Sequence, residues 1–307
     1  MRLDPLFSSE LPFDTDDTVK RISFARLIRE RTGLIDITLL LSLPAVLILI
    51  YLSPVGLRES LVFDYTEPTL FTAFASVFIH LDKIHLLVNI GVYALIVPVL
   101  FVLSIATRNR RRFYTAFVTF LLMFPFVLSY LNLALFRPSV AFGFSGVAMA
   151  FVGYLPFALA NYLDDVFDVG PANQISPMLF LLSLLCIAVL SIRSAPTIGR
   201  LVVLSTVVSV LVAILSVLLY VLALYDQKDE LQSKLRTVLR TSGHFELAMI
   251  AIVLIFAIQF VAFPPDPALG DGVLNLYVHF LGYSLGFLAV FTAVETAERL
   301  GWAETVL

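Results

Sequence analysis

The chain has 307 residues, 60% of them apolar and 14% charged, with a mean hydropathy of +0.96 and a formal net charge of -3. This composition excludes an ordinary soluble domain of such length, and the acidic balance argues against a nucleic-acid partner. Lipid must solvate most of the chain, and at about 20 apolar residues per crossing its length allows several spans in one membrane domain.

Residues 1–33 carry acids, bases, Pro5 and Pro12, with no early apolar run that could act as a secretory leader, and read as a cytoplasmic N-terminal segment. Apolar runs bounded by charge, Pro or Gly then predict eight spans, at about 34–53, 84–106, 113–135, 143–162, 176–192, 199–224, 244–263 and 274–296. The fifth is short and close to the sixth across Pro196, so a re-entrant or broken pair is expected there. Cys186, the lone cysteine, lies inside an apolar run and can form no intrachain disulfide. Residues 34–300 form the expected membrane domain and 301–307 a C-terminal tail.

Orientation follows from Lys and Arg near the span ends. Lys20, Arg21, Arg26, Arg29 and Arg31 precede the first span; Arg108, Arg110, Arg111 and Arg112 follow the second; Lys228, Lys234, Arg236 and Arg240 follow the sixth. If every run crosses, all three clusters share one face, which places the N-terminus in the cytoplasm of a multi-pass protein of the cell membrane. The loop at 163–175 falls on the same face despite Asp164, Asp165 and Asp168, because acids carry little topological weight.

Polar side chains inside spans are costly and ask for a partner or a purpose. His85 and Asn89 share one helix face at the start of the second span, and His80 lies just before it. Gly143-Phe144-Ser145-Gly146 opens the fourth span. A serine at a helix start lies beside unpaired backbone N–H groups, and flanking glycines allow close approach, as a nucleophile next to an oxyanion hole requires. Gly146, Ala150 and Gly153 continue as a small-residue stripe. In the last span His279, Gly282 and Gly286 fall on one face, so a meeting of the two stripes would bring His279 to Ser145. Three spans between Ser145 and His279 put both near the same surface, with His85. His244 follows Gly243 at a span end and reads as interfacial. No metal-binding or phosphate-loop pattern is present, and neither metal nor cofactor is expected.

Each of these features has a plain packing explanation, and Gly-x-Ser-Gly alone is weak. Their conjunction in order and depth carries the argument. It resembles the rhomboid intramembrane serine proteases, in which His-x4-His-x3-Asn, Gly-x-Ser-Gly and His-x2-Gly-x3-Gly lie on the second, fourth and final core helices. The resemblance spans about residues 34–296. It implies an all-α polytopic membrane protein, a rhomboid-like helical bundle of about eight transmembrane helices: a six-helix core plus an extra pair within 163–273. It also implies Ser145 as nucleophile and His279 as general base, His85, Asn89 and the Ser145 N–H as oxyanion hole, a structural His80, and close packing at Gly143, Gly146, Gly282 and Gly286. Implied substrates are the transmembrane helices of single-pass proteins. The chain departs from the family pattern in the extra pair, which puts three helices rather than one between the Ser and His helices, and in two further places. Glu67-Pro68-Thr69-Leu70 stands where a Trp-Arg pair is common, and Met149 where an aromatic often stacks on the catalytic His. The rival expectations are a rhomboid-like binder that does not cut and, further off, a transporter using His85, Asn89 and His279.

Overall fold

The structure is a computed structural model and describes residues 24–135, 139–193, 243–269 and 272–301, with nine helical residues scattered between 207 and 222. The helices of the first half are α1 (Phe24–Arg31), α2 (Leu34–Tyr51), α3 (Val55–Glu59), α4 (Leu70–Ala75), α5 (Lys83–Ala106), α6 (Arg110–Leu122) and α7 (Phe124–Asn132). Those of the second half are α8 (Ser145–Phe167), α9 (Ala172–Arg193), α10 (His244–Ala262) and α11 (Leu276–Arg299). Two short antiparallel ladders complete the described elements, β1 (Phe63–Asp64) with β2 (Val140–Ala141) and β3 (Ala268–Leu269) with β4 (Gly272–Val273).

Among the described residues six helices, α2, α5, α8, α9, α10 and α11, are long and apolar enough to cross a membrane. The chain is an all-α polytopic membrane protein. The predicted span at 199–224 lies almost wholly outside the described residues, as does its expected pairing with the fifth.

Two expectations differ from what is seen. The predicted span at 113–135 is a pair, α6 and α7, bent by 44° at Met123. Pro125 supplies the reason: it lacks an N–H, its ring obstructs the preceding turn, and it stands in the first turn of α7, where the missing N–H needs no partner. The predicted loop at 163–175 shrinks to 168–171, because α8 runs on to Phe167 and α9 starts at Ala172. Phe167 is buried edge-on against Tyr162, with ring centroids 5.7 Å apart, and this packing carries the helix past Asp164 and Asp165. Asp168 then ends it in a left-handed conformation, and Asp164 accepts from the Ala172 N–H at 3.1 Å.

α8 is the central post. Of its most apolar stretch 89% is buried, against 17% for α2. α5 and α9 flank it, and α11 lies directly on it because small residues line the seam. A methyl group at Gly282 would overlap the Gly146 carbonyl, one at Gly286 the backbone of Ala150, and one at Gly153 the carbonyl of Tyr283. Without side chains between them, the two backbones approach closely enough for dispersion contacts that lipid cannot replace. Between α2 and α5, α3, β1 and α4 form a cap over the Ser145 end. Its buried cluster is Phe63, Tyr65 and Ala73.

At the opposite end Asp36, wholly buried, accepts from the Arg110 guanidinium, the Tyr114 hydroxyl and the Gly33 N–H. Arg31 donates to the carbonyls of Ile105 and Ala106 at 2.7 and 3.0 Å, adding a side-chain partner to the last turn of α5. These contacts pin α1 and the start of α2 to the turn between α5 and α6.

Candidate active site

Ser145 is the first residue of α8 and is half-buried. The helix begins after Phe144 with no side chain capping its first amides, and its N-terminus therefore presents unpaired N–H groups beside the serine. Gly143 makes the entry possible. Its φ of +108° lies in the region that L side chains avoid, and an added Cβ would sit 2.5 Å from Cε1 of His85. The His85 imidazole thus rests directly on the Gly-x-Ser-Gly backbone. It is 8% exposed, and neither ring nitrogen has a hydrogen-bond partner.

His279 lies in the first turn of α11, three residues before Gly282, the glycine that touches the Gly146 carbonyl. The preceding residue, Val278, reaches Gly146 itself. His279 and Ser145 are therefore at the same end of one tight seam. The His279 Nδ1 is 2.8 Å from the Ala262 carbonyl. A carbonyl only accepts, so Nδ1 must carry a proton, and in the neutral ring Nε2 is left with a free lone pair. That Nε2 is buried and has no partner. The edge of Phe263 packs against the same ring, with centroids 6.1 Å apart. Among the described residues no hydrogen bond joins Ser145 to His279.

Asn89 is directed elsewhere. Its amide donates to His80 Nε2 at 2.8 Å, leaving one amide hydrogen for another acceptor. His80 is fully buried; its Nε2 also receives the Phe144 N–H at 3.5 Å, and its carbonyl accepts from Arg58 at 2.6 Å. His80 therefore ties the start of α8 to the cap, with Arg58 held over the Tyr51 ring at 4.6 Å. His244 opens α10 at the opposite end, where the Tyr162 hydroxyl meets its Nδ1 at 2.6 Å and Phe24 packs edge-on against the ring.

The site also uses residues that the motifs do not contain. Asn275 caps α11 by accepting from the Val278 N–H at 3.3 Å and donates to Asn132 at 3.1 Å; Asn132 in turn donates to the Tyr65 hydroxyl. This chain fixes the start of the His279 helix to the cap. Asn132, a buried amide within an apolar run, carried a readable signal of the kind that singled out Asn89. The Ala262 contact is made by a backbone atom and leaves no trace in residue identity.

Fold and site together define a class, a polytopic α-helical membrane protein with buried histidines beside a half-buried serine at one end of its helices. No family model, no curated protein and no solved structure matches the chain. Among the described residues no group of three or more His, Cys, Asp or Glu could hold a metal ion.

Proposed function

We propose that the chain is an intramembrane serine endopeptidase of rhomboid type that cleaves transmembrane segments of single-pass membrane proteins with a Ser145/His279 dyad. The observation that carries this reading is the state of His279, proton on Nδ1 held by Ala262 and Nε2 bare, at the head of the glycine seam that brings its helix onto the Ser145 helix. A general base needs this tautomer, and a buried imidazole with no other use for Nε2 is costly to keep. The motif resemblance supports the same assignment. It extends it to a six-helix core with an added pair, eight spans in all, and the distribution of Arg and Lys supports a cytoplasmic N-terminus in the cell membrane.

In this mechanism the Ser145 hydroxyl turns to Nε2, gives up its proton and attacks the scissile carbonyl, forming a tetrahedral oxyanion. The α8 N-terminal amides and His85 face the developing charge, with the second Asn89 amide hydrogen in reserve. His279 returns the proton to the leaving amine as the intermediate collapses to an acyl-enzyme. Water, deprotonated by the same nitrogen, then releases the acid and regenerates Ser145.

A second reading is favoured by one fact, the lack of a Ser145–His279 hydrogen bond: a rhomboid-like protein that binds membrane clients and does not cut them. The two are separated by presenting tagged single-pass substrates to the purified protein in liposomes beside Ser145→Ala and His279→Ala. The protease reading expects cleavage by wild type and at least about 10³-fold loss in each variant. Client binding without cleavage by the wild-type protein would replace it with the second.

A further inference from the structure

Where α5 ends and α6 begins, their turn closes against the middle of α8 over a half-open cleft of about 180 Å³, its mouth included. The enclosed part is small enough for one occupant of water's size to fill it. Arg112 is the one charged residue in its lining, and no acid lines it. The guanidinium donates from Nη1 to the Asn161 side-chain oxygen at 3.0 Å and lies over the Phe157 ring at 5.5 Å, and both partners are neutral. Its Nε–H is shut off from solvent and has no hydrogen-bond partner. Among the described residues Arg112 forms no ion pair. A buried N–H without an acceptor and a half-buried cation without a counter-charge are each costly, and here one side chain is both.

The neutral groups around the cleft do not supply what Arg112 lacks. Asn109 donates through Nδ2 to the Thr107 hydroxyl oxygen at 3.1 Å, and its side chain caps none of the α6 amides. The Thr107 hydroxyl itself donates to the carbonyls of Leu103 and Ser104 at 3.1 and 3.3 Å. Asn161 gives one amide hydrogen to the Phe157 carbonyl at 2.8 Å. The side-chain oxygens of Asn161 and Thr107 thus already accept a bond each, while Asn109 and Asn161 both keep a second amide hydrogen. The cleft is left with a positive charge and with donors to spare.

We propose that this cleft binds a monovalent anion of chloride's size, held by the Arg112 guanidinium and the spare amide hydrogens of Asn109 and Asn161. Water would satisfy an N–H but leave the charge unpaired, and phosphate is too large for the enclosed part. An ion here touches α6, the end of α5 and α8 at once, and so braces the turn between two spans. The site does not depend on the catalytic reading and lies at the other end of the helices.

The test is thermal unfolding of the full-length protein in neutral detergent, with sodium chloride exchanged for sodium gluconate at constant ionic strength; gluconate is too large to enter. The wild-type midpoint rises with the logarithm of chloride concentration once the dissociation constant is passed, and bromide acts in the same way. Arg112→Gln, which keeps hydrogen-bonding groups without the charge, weakens the apparent chloride affinity at least about ten-fold. Asn109→Asp guards against a folding failure in that variant: it builds a carboxylate into the cleft three residues from Arg112, and the folded protein loses its chloride dependence because the counter-charge is then its own. Arg111→Gln, at an exposed neighbour outside the lining, keeps the wild-type response. Crystals grown in bromide show an anomalous peak beside the Arg112 guanidinium. Equal midpoints in chloride and gluconate, or a chloride response kept by Asn109→Asp, would overturn the proposal. An ordered water in place of the bromide would also overturn it, leaving a hydration site only.

Discussion

His80 has no exposed surface, and burial, with a smaller contribution from the neighbouring His85, pushes its imidazole down to about 3 from the ordinary 6.5. The groups around it are His85, the Asp82 that caps α5 and the Arg58 guanidinium on its carbonyl. Its Nε2 must stay unprotonated to accept from Asn89. As pH falls below 6.5 the unfolded chain takes up a proton that the folded one refuses until about 3, so this contribution is fully present above 6.5 and lost across that window. The loss is at most about 1.4 kcal/mol per pH unit. Thermal midpoints in detergent should therefore fall with acid, and His80→Gln, which can still accept from Asn89 through its side-chain oxygen, should flatten the slope. An unchanged slope would mean that other groups carry the acid sensitivity.

At the scale of elements, the glycine positions of the seam between α8 and α11 admit nothing larger than hydrogen without a backbone shift. Gly282→Ala must force the Gly146 backbone away and is expected to cost about 1–3 kcal/mol or more. Gly91→Ala on α5, where an added Cβ meets nothing within 4 Å, should instead stabilise by about 0.5–1 kcal/mol. A thermal-shift pair decides between them, since equal effects would place the seam elsewhere. This seam was legible in the sequence, because Gly146, Ala150 and Gly153 on one helix and Gly282 and Gly286 on the other repeat at helical spacing. The bend at Met123 was signalled by Pro125 but outvoted by the apolar run around it. The continuation of α8 to Phe167 was hidden because hydropathy stops at charge whereas packing does not. The pairings at the site were illegible for a different reason: Ala262 acts through its carbonyl, and Asn132, though itself conspicuous in an apolar run, meets Asn275 across 143 residues of chain.

Across the whole molecule, polar links close the bundle at both ends while small residues and rings pack its middle. Asp36 gathers α2 and α6 at one end, and Asp36→Ala should cost about 2 kcal/mol in unfolding measurements. That is below the 3–5 kcal/mol typical of breaking a buried pair, because the Arg110 side chain is 46% exposed and water can take the lost partner's place. A loss under about 0.5 kcal/mol would show that the link is dispensable. The burial of α8 also bears on how the protein is made. α8 is the most enclosed of the described spans, and its main partner, α11, begins at Leu276, more than one hundred residues after α8 ends at Phe167. During synthesis α8 must therefore wait among lipids or insertion factors, with the bare backbone of Gly146, Ala150 and Gly153 uncovered. Nascent chains halted before Leu276 should cross-link from α8 to the insertion machinery, and chains extended past Arg299 should lose that cross-link as α11 takes its place.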